Sequence, residues 1–271
     1  MAIPVKLSYT QQGKGTAVVL LHGFPFSGAI WRDQVKGLSD DYQIIVPDLR
    51  GHGTSPALDG VYTMEVLAGD VLALLDELNI QKCVLIGHSM GGYVTLAAWK
   101  LTPERFLALG LIDSQAGADD EKTRQGRLNL ADRVEQGGAA VVADAMLPKL
   151  FASELASDDF SSEQARTIIV GTHPTGIVGA LKGMAARPDL TALLPDISVP
   201  VLLLTGDQDA TIEPYHAERM STAIPNAMLI SVQDAGHMPM LEQPTATTEA
   251  IRRFLQEAVP GEETRHALEP L

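Results

Sequence analysis

The chain has 271 residues, enough for one large α/β domain or one domain with an insertion. A formal net charge of −14, with no basic stripe to offset it, repels phosphate backbones and excludes nucleic acid as an expected partner. Apolar residues are 45% of the chain, but no apolar run approaches the about 20 residues of a membrane span, and the opening MAIPVKLSYTQQGKG lacks the apolar stretch of a secretory signal. The single cysteine, Cys83, cannot form an intramolecular disulfide and sits in an apolar run, so a buried thiol and a cytoplasmic location are expected.

In chain order, short apolar runs alternate with helical patterns. AVVLLH (17–22) reads as a strand, followed by a loop and a helix near 29–38; YQIIVPD (42–48) is the next strand. Thr63 is a natural N-cap for the periodic MEVLAGDVLALLDEL. CVLIG, a helix over 91–101 and the strand LALGLID (107–113) come next. PVLLLTG (200–206), a helix near 215–223, AMLISV (227–232) and a helix over 245–258 close the pattern. Apolar strands without alternation, separated by helices, indicate a parallel sheet covered on both faces. Between about 116 and 190 the strand signal disappears and Ala-, Arg-, Glu- and Gln-rich helical segments replace it. The expected organisation is an α/β core of 1–115 and 191–271 with a helical cap of 116–190. The tail after Pro260 is polar and expected to fray.

Gly87-His88-Ser89-Met90-Gly91 matches G-x-S-x-G, a pattern that about one chain in ten of this length contains by chance at ordinary residue frequencies. Context sharpens it: CVLI supplies a strand, YVTLAAWK a helix, and the glycines allow a tight turn between them. The bland alternative is a serine N-cap beside glycines that permit close helix packing. A serine hydroxyl is a poor nucleophile until a base takes its proton, and the base needs a third group to orient it. Downstream, GDQDATIEP offers Asp209 and DAGHMPMLEQP offers His237, each in a loop after a strand of the same sheet. Asp113, at the end of the strand after the serine helix, is the competing acid. Asp207 is expected to brace its loop and Asp234 to serve a turn. His88 is the variable x of the serine motif, His52 follows the turn DLRGHG, His22 belongs to the loop after the first strand, and His173, His216 and His266 read as surface residues. An oxyanion needs two N–H donors; Met90, at a helix N-terminus, and Phe24, in the loop after the first strand, are placed to supply them.

The set LLHGFPFSGAIW, VPDLRGHGTS, GHSMGGYV, GDQDATIEP and DAGHMPMLEQP resembles the α/β-hydrolase fold, most closely its small bacterial carboxylesterases with a helical cap. The resemblance covers both ends of the chain and is weak across 116–190. It implies Ser89 as nucleophile, His237 as base, Asp209 as acid, and Phe24 and Met90 as oxyanion donors. HGFP is also found in epoxide hydrolases and dehalogenases, which carry aspartate where this chain has Ser89. The expected activity is hydrolysis of small-molecule carboxylic esters with short to medium acyl chains, without metal or cofactor, by a monomer or homodimer. Met146, Leu147, Leu150, Ile168, Ile169 and Met184 are candidate acyl-pocket residues. A lactonase, a C–C bond hydrolase or a cofactor-free perhydrolase would use the same triad. The first two, acting on carboxylates, would need Arg124, Arg127 or Arg133 to face the pocket. A non-catalytic ligand receptor is a further alternative. A dinucleotide-binding protein is disfavoured because the first strand leads into HGFPFSG rather than G-x-G-x-x-G.

Overall fold

The computed structural model describes residues 3–152 and 159–259. The tail after Pro260, with His266, lies outside the described residues. Seven strands form one sheet among the described residues: β1 (Tyr9–Gln12), β2 (Ala17–Leu21), β3 (Gln43–Pro47), β4 (Cys83–His88), β5 (Phe106–Ile112), β6 (Val201–Gly206) and β7 (Ala227–Val232). Their order is β1-β3-β2-β4-β5-β6-β7. All neighbours are parallel except β1, which runs antiparallel to β3. Every residue of β2, β4 and β6 is buried, as continuous apolar runs in a sheet covered on both faces require.

Strand β1 was not expected. Its sequence, YTQQ, is exposed throughout and has no apolar alternation; it is held by backbone pairing to β3 at the sheet edge. The helix expected near 29–38 is divided into a 3₁₀ turn (Gly28–Trp31) and α1 (Arg32–Leu38). Helix α2 (Met64–Glu77) begins after Thr63, whose hydroxyl accepts the Val66 N–H at 3.3 Å. It packs against α3 (Met90–Leu101). Between β5 and β6 the described chain forms α4 (Glu121–Gly137), α5 (Ala140–Leu150), α6 (Asp159–Gly171) and α7 (Pro174–Ala185), with α4 packed on α7. Helices α8 (Tyr215–Ala223), α9 (Pro239–Glu242) and α10 (Pro244–Ala258) follow. No helix among the described residues is long and apolar enough to cross a membrane.

The topology determines where a ligand goes. Strand β2 lies between β3 and β4, so the chain passes to one side of it to form β3 and then crosses back to its other side to form β4, and crevices open at the carboxyl ends of strands flanking such a reversal. The registers align those ends: Leu21 faces Gly87, His88 faces Ile112, and Gly206 faces Val232. The loops carrying Phe24, Ser89, Asp113, Asp209 and His237 therefore leave the sheet on one edge.

Candidate active site

Ser89 sits between β4 and α3 with φ of 51° and ψ of −114°, a left-handed conformation that L-residues rarely adopt. Strain of about 1–3 kcal/mol is typical of such residues and persists where the surroundings over-determine it. Here its N–H donates to the Ile112 carbonyl at 2.8 Å, and its own carbonyl accepts from Gly92 N–H at 2.9 Å and Ser114 Oγ–H at 2.9 Å. The turn also needs glycine at 87, where a Cβ would lie 2.1 Å from the Gly91 carbonyl oxygen.

His237 brings its Nε2 to 3.0 Å from Ser89 Oγ, while its Nδ1 lies 2.7 Å from Asp209 Oδ2. With Asp209 ionised, Nδ1 carries the proton and Nε2 is the acceptor. The other oxygen of Asp209 accepts the N–H groups of Thr211 at 2.7 Å and Ile212 at 3.0 Å. Burial disfavours its charge, but the His237 ring and these two donors outweigh burial and hold the carboxyl below its ordinary pKa. The loop carrying His237 is clamped by Glu242, whose carboxylate accepts Gly236 N–H and Met238 N–H, both at 3.0 Å, and Ala152 N–H at 2.7 Å. Sequence reading passed over Glu242; an acid five residues after the histidine, at the end of a short helix, was the available signal.

The competing carboxyl, Asp113, is close by. It is buried with φ of 44°, and its Oδ1 accepts Gly206 N–H at 2.9 Å. Carboxylate oxygens of Asp113 and Asp209 and a ring nitrogen of His237 lie within 4.8 Å of one another. These are residue types that can bind a metal, yet backbone donors and the His237 ring already engage the carboxylates. Burial, reinforced by the Asp209 charge, pushes the Asp113 carboxyl well above its ordinary pKa. Asp207 accepts Ala235 N–H at 3.3 Å and does not reach His237.

The loop after β2 packs against the serine turn: a Cβ on Gly23 would meet His88 Nδ1 at 2.5 Å and Ser89 Cβ at 3.1 Å. This brings Phe24 to the wall of the cavity that contains Ser89 and His237. Met90 opens α3, so its N–H has no carbonyl behind it within the helix.

His88, read from sequence as a freely variable position, links the two halves of the site. Its Nε2–H donates to the His237 carbonyl at 2.7 Å, and its ring centroid lies 4.9 Å from that of His237. Burial is the main force holding the His88 and His52 pKa values down to about 3. Both rings are thus neutral when folded and protonate near pH 6.5 when unfolded. Below that pH the unfolded chain takes up protons on these two rings, and on His22, whose pKa burial also lowers, that the folded chain refuses, so their contribution to stability is full above pH 6.5 and falls as pH drops toward 3. The His52 and His88 rings each contribute about 1.4 kcal/mol per pH unit over that window. Urea unfolding at pH 7, 5.5 and 4.5 is expected to show this slope, with His88→Gln flattening it by about one ring's share.

The cavity over Ser89 has a volume of about 370 Å³ and is walled by Phe24, Tyr93, Met146, Met184, Ile212 and Tyr215, among others. Of the pocket candidates, Met146 and Met184 line it. Leu147 and Leu150 do not: Leu147 packs against the hydrophobic core, while Leu150 is fully buried and uses its carbonyl to accept His237 N–H at 2.8 Å. Ile168 and Ile169 likewise pack away from the cavity. Arg124 and Arg133 are exposed, Arg124 in an ion pair with Glu121, whereas Arg127 lines the cavity beside Asp119 and Asp120. His216 also lines it and is half-buried rather than a surface residue.

A parallel sheet with this strand order, carrying a strained serine turn on one edge, defines a class. The chain belongs to the α/β-hydrolase fold family, whose match covers residues 16–244. It is similar to a thermophilic esterase from Thermogutta terrifontis, solved with malate bound, at 38% identity and a TM-score of 0.91 over 93% of each chain. It is also similar to the enol-lactonase from Burkholderia xenovorans LB400, at 29% identity and a TM-score of 0.86 over 92% of this chain and 96% of that one. RutD of Pseudomonas syringae pv. syringae, named as a carbamate hydrolase, is 28% identical over 90% of this chain and 95% of its own length. The protein is a hydrolase of this family.

Proposed function

We propose that the chain hydrolyses carboxylic esters through a covalent acyl-enzyme on Ser89. The observation that carries this reading is the continuous hydrogen-bonded line from Asp209 through His237 to Ser89, at 2.7 and 3.0 Å. His237 Nε2 accepts the Ser89 proton as Oγ attacks the ester carbonyl, forming a C–O bond and a tetrahedral oxyanion. The N–H groups of Phe24 and Met90 donate to that oxyanion. Collapse breaks the bond to the alcohol, which leaves with the proton from His237. Water, deprotonated by the same ring, then attacks the acyl-enzyme and releases the acid. Asp209 keeps the proton on Nδ1 and stabilises the transient imidazolium.

Helices α4–α7 act as the cap in this reading, with Met146 on α5 and Met184 on α7 lining an acyl pocket suited to short or medium chains. Lactones are the second substrate class, favoured by Arg127 at the cavity wall and by the likeness to an enol-lactonase. A fluorophosphonate should label Ser89 stoichiometrically, and p-nitrophenyl esters of graded chain length, run beside lactones and enone C–C substrates, should identify the bond cleaved. Tight ligand binding without turnover of any substrate would instead support a receptor.

A further inference from the structure

We propose that Arg127 forms an anion subsite in the cavity over Ser89 and selects substrates whose acyl group ends in a carboxylate. The inference rests on Ser89 being the nucleophile and names the substrate class for that site.

Arg127 projects from α4 with its side chain about one-fifth exposed (22%). Asp119 engages its Nε at 2.6 Å and its Nη2 at 3.3 Å. The remaining nitrogen, Nη1, faces the Met184 sulfur at 3.4 Å. A thioether is a weak acceptor, so one tine of the guanidinium keeps its donors for a better partner. The same Asp119 carboxylate also receives Arg187 Nη1 at 2.5 Å. Arg187 is 3% exposed, lies 4.2 Å from the Tyr93 ring centroid, and donates from Nη1 to the Met184 carbonyl and from Nη2 to the Gly117 carbonyl, while its buried Nε has no protein partner among the described residues.

Two guanidiniums therefore share one buried carboxylate, and the cluster carries a surplus positive charge in a chain whose net charge is −14. Burying a surplus cation is costly unless an anion compensates it. Asp120 also lines the cavity, but its carboxylate caps α4 through Thr123 N–H at 2.7 Å from an exposed position. The half-buried His216 adds no negative charge. A planar guanidinium whose remaining edge meets only the weak Met184 acceptor and the neutral Tyr93 side chain matches a carboxylate in shape as well as charge. Since Arg127 and Ser89 line the same cavity, an acyl chain held at Ser89 can extend its far end to Arg127.

The test compares p-nitrophenyl hemiglutarate with p-nitrophenyl valerate, which match in acyl length and differ in the terminal carboxylate. A hydrogen bond to a charged group corresponds to about ten- to hundredfold in kcat/KM, so the wild type should favour the hemiglutarate by at least tenfold at low salt. Arg127→Gln should remove most of that ratio. Arg127→Lys, which keeps the charge and loses the fork, should retain part of it. A wild-type ratio near one, or a ratio unchanged by Arg127→Gln, overturns the subsite while leaving the ester reading intact. If neither ester turns over, the ester reading fails, and calorimetry with glutarate against glutaramide decides the subsite: preference for glutarate supports it and equal binding sinks it. The glutarate comparison on wild type also decides the matter if both variants fail to fold.

Discussion

Ser89→Ala is expected to lower kcat for a short p-nitrophenyl ester by on the order of 10⁶, with the folded state little changed. The size of the loss follows from the geometry. Ser89 Oγ is the only group in the proposed mechanism that bonds to the substrate, and His237 Nε2 sits 3.0 Å away to receive its proton. Removing the oxygen leaves the base with nothing to activate but water, and the oxyanion donors and the cavity supply what rate remains. Stability should survive because alanine keeps the Cβ, so the strain at φ of 51° is unchanged. The hydrogen bonds that hold the turn use the Ser89 backbone, not its hydroxyl, apart from the one to His237. Steady-state kinetics and a thermal melt on the same preparation check both halves. Ester turnover persisting in the alanine variant at more than a few per cent would remove Ser89 from the chemistry.

Asp209→Asn is expected to cost on the order of 10⁴ in kcat. The backbone determines why asparagine fails. Two N–H groups, from Thr211 and Ile212, point at the Oδ1 position, so the amide oxygen must take that place. The NH₂ group is then left facing His237 Nδ1, which has to become an acceptor. Its proton moves to Nε2, where it blocks acceptance of the Ser89 proton. Asp209→Ala imposes no such tautomer, and it also removes a charge that, after burial, raises the Asp113 pKa. With Asp113 already within 4.8 Å, its carboxyl can ionise and support the ring in place of Asp209. The alanine variant should therefore lose less activity than the asparagine variant, and adding Asp113→Asn should remove the difference. Equal losses in Asp209→Ala with and without Asp113→Asn would show that Asp113 contributes nothing to the ring.

Much of the fold was legible because its signals are local. Continuous apolar runs such as AVVLL and VLLLTG identify strands buried on both faces, and Thr63 marks the start of α2 through a hydroxyl three residues from the N–H it accepts. The strand–turn–helix around Ser89 is likewise contained in about ten residues, and Gly87 is required by its approach to the Gly91 carbonyl within that segment, whereas Gly91 and Gly92 are required by Leu21, His22 and Ser114 on neighbouring elements. Strand β1 was not legible, because YTQQ contributes only backbone pairing to a partner more than thirty residues away.

The sequence by itself determined the α/β-hydrolase core, the serine at the turn, and the presence of an acid and a histidine in loops after later strands. Only the tertiary structure decided that Asp209 contacts His237 while Asp113 stands behind it, that His88 braces the base, and that Glu242 clamps its loop. It also decided that Arg127 faces the cavity while Arg124 and Arg133 face solvent. Local pattern follows from the periodicity of neighbouring residues. Site geometry depends on the alignment of strand ends that bring residues some 90 to 150 positions apart within hydrogen-bond distance, and no single segment carries that information.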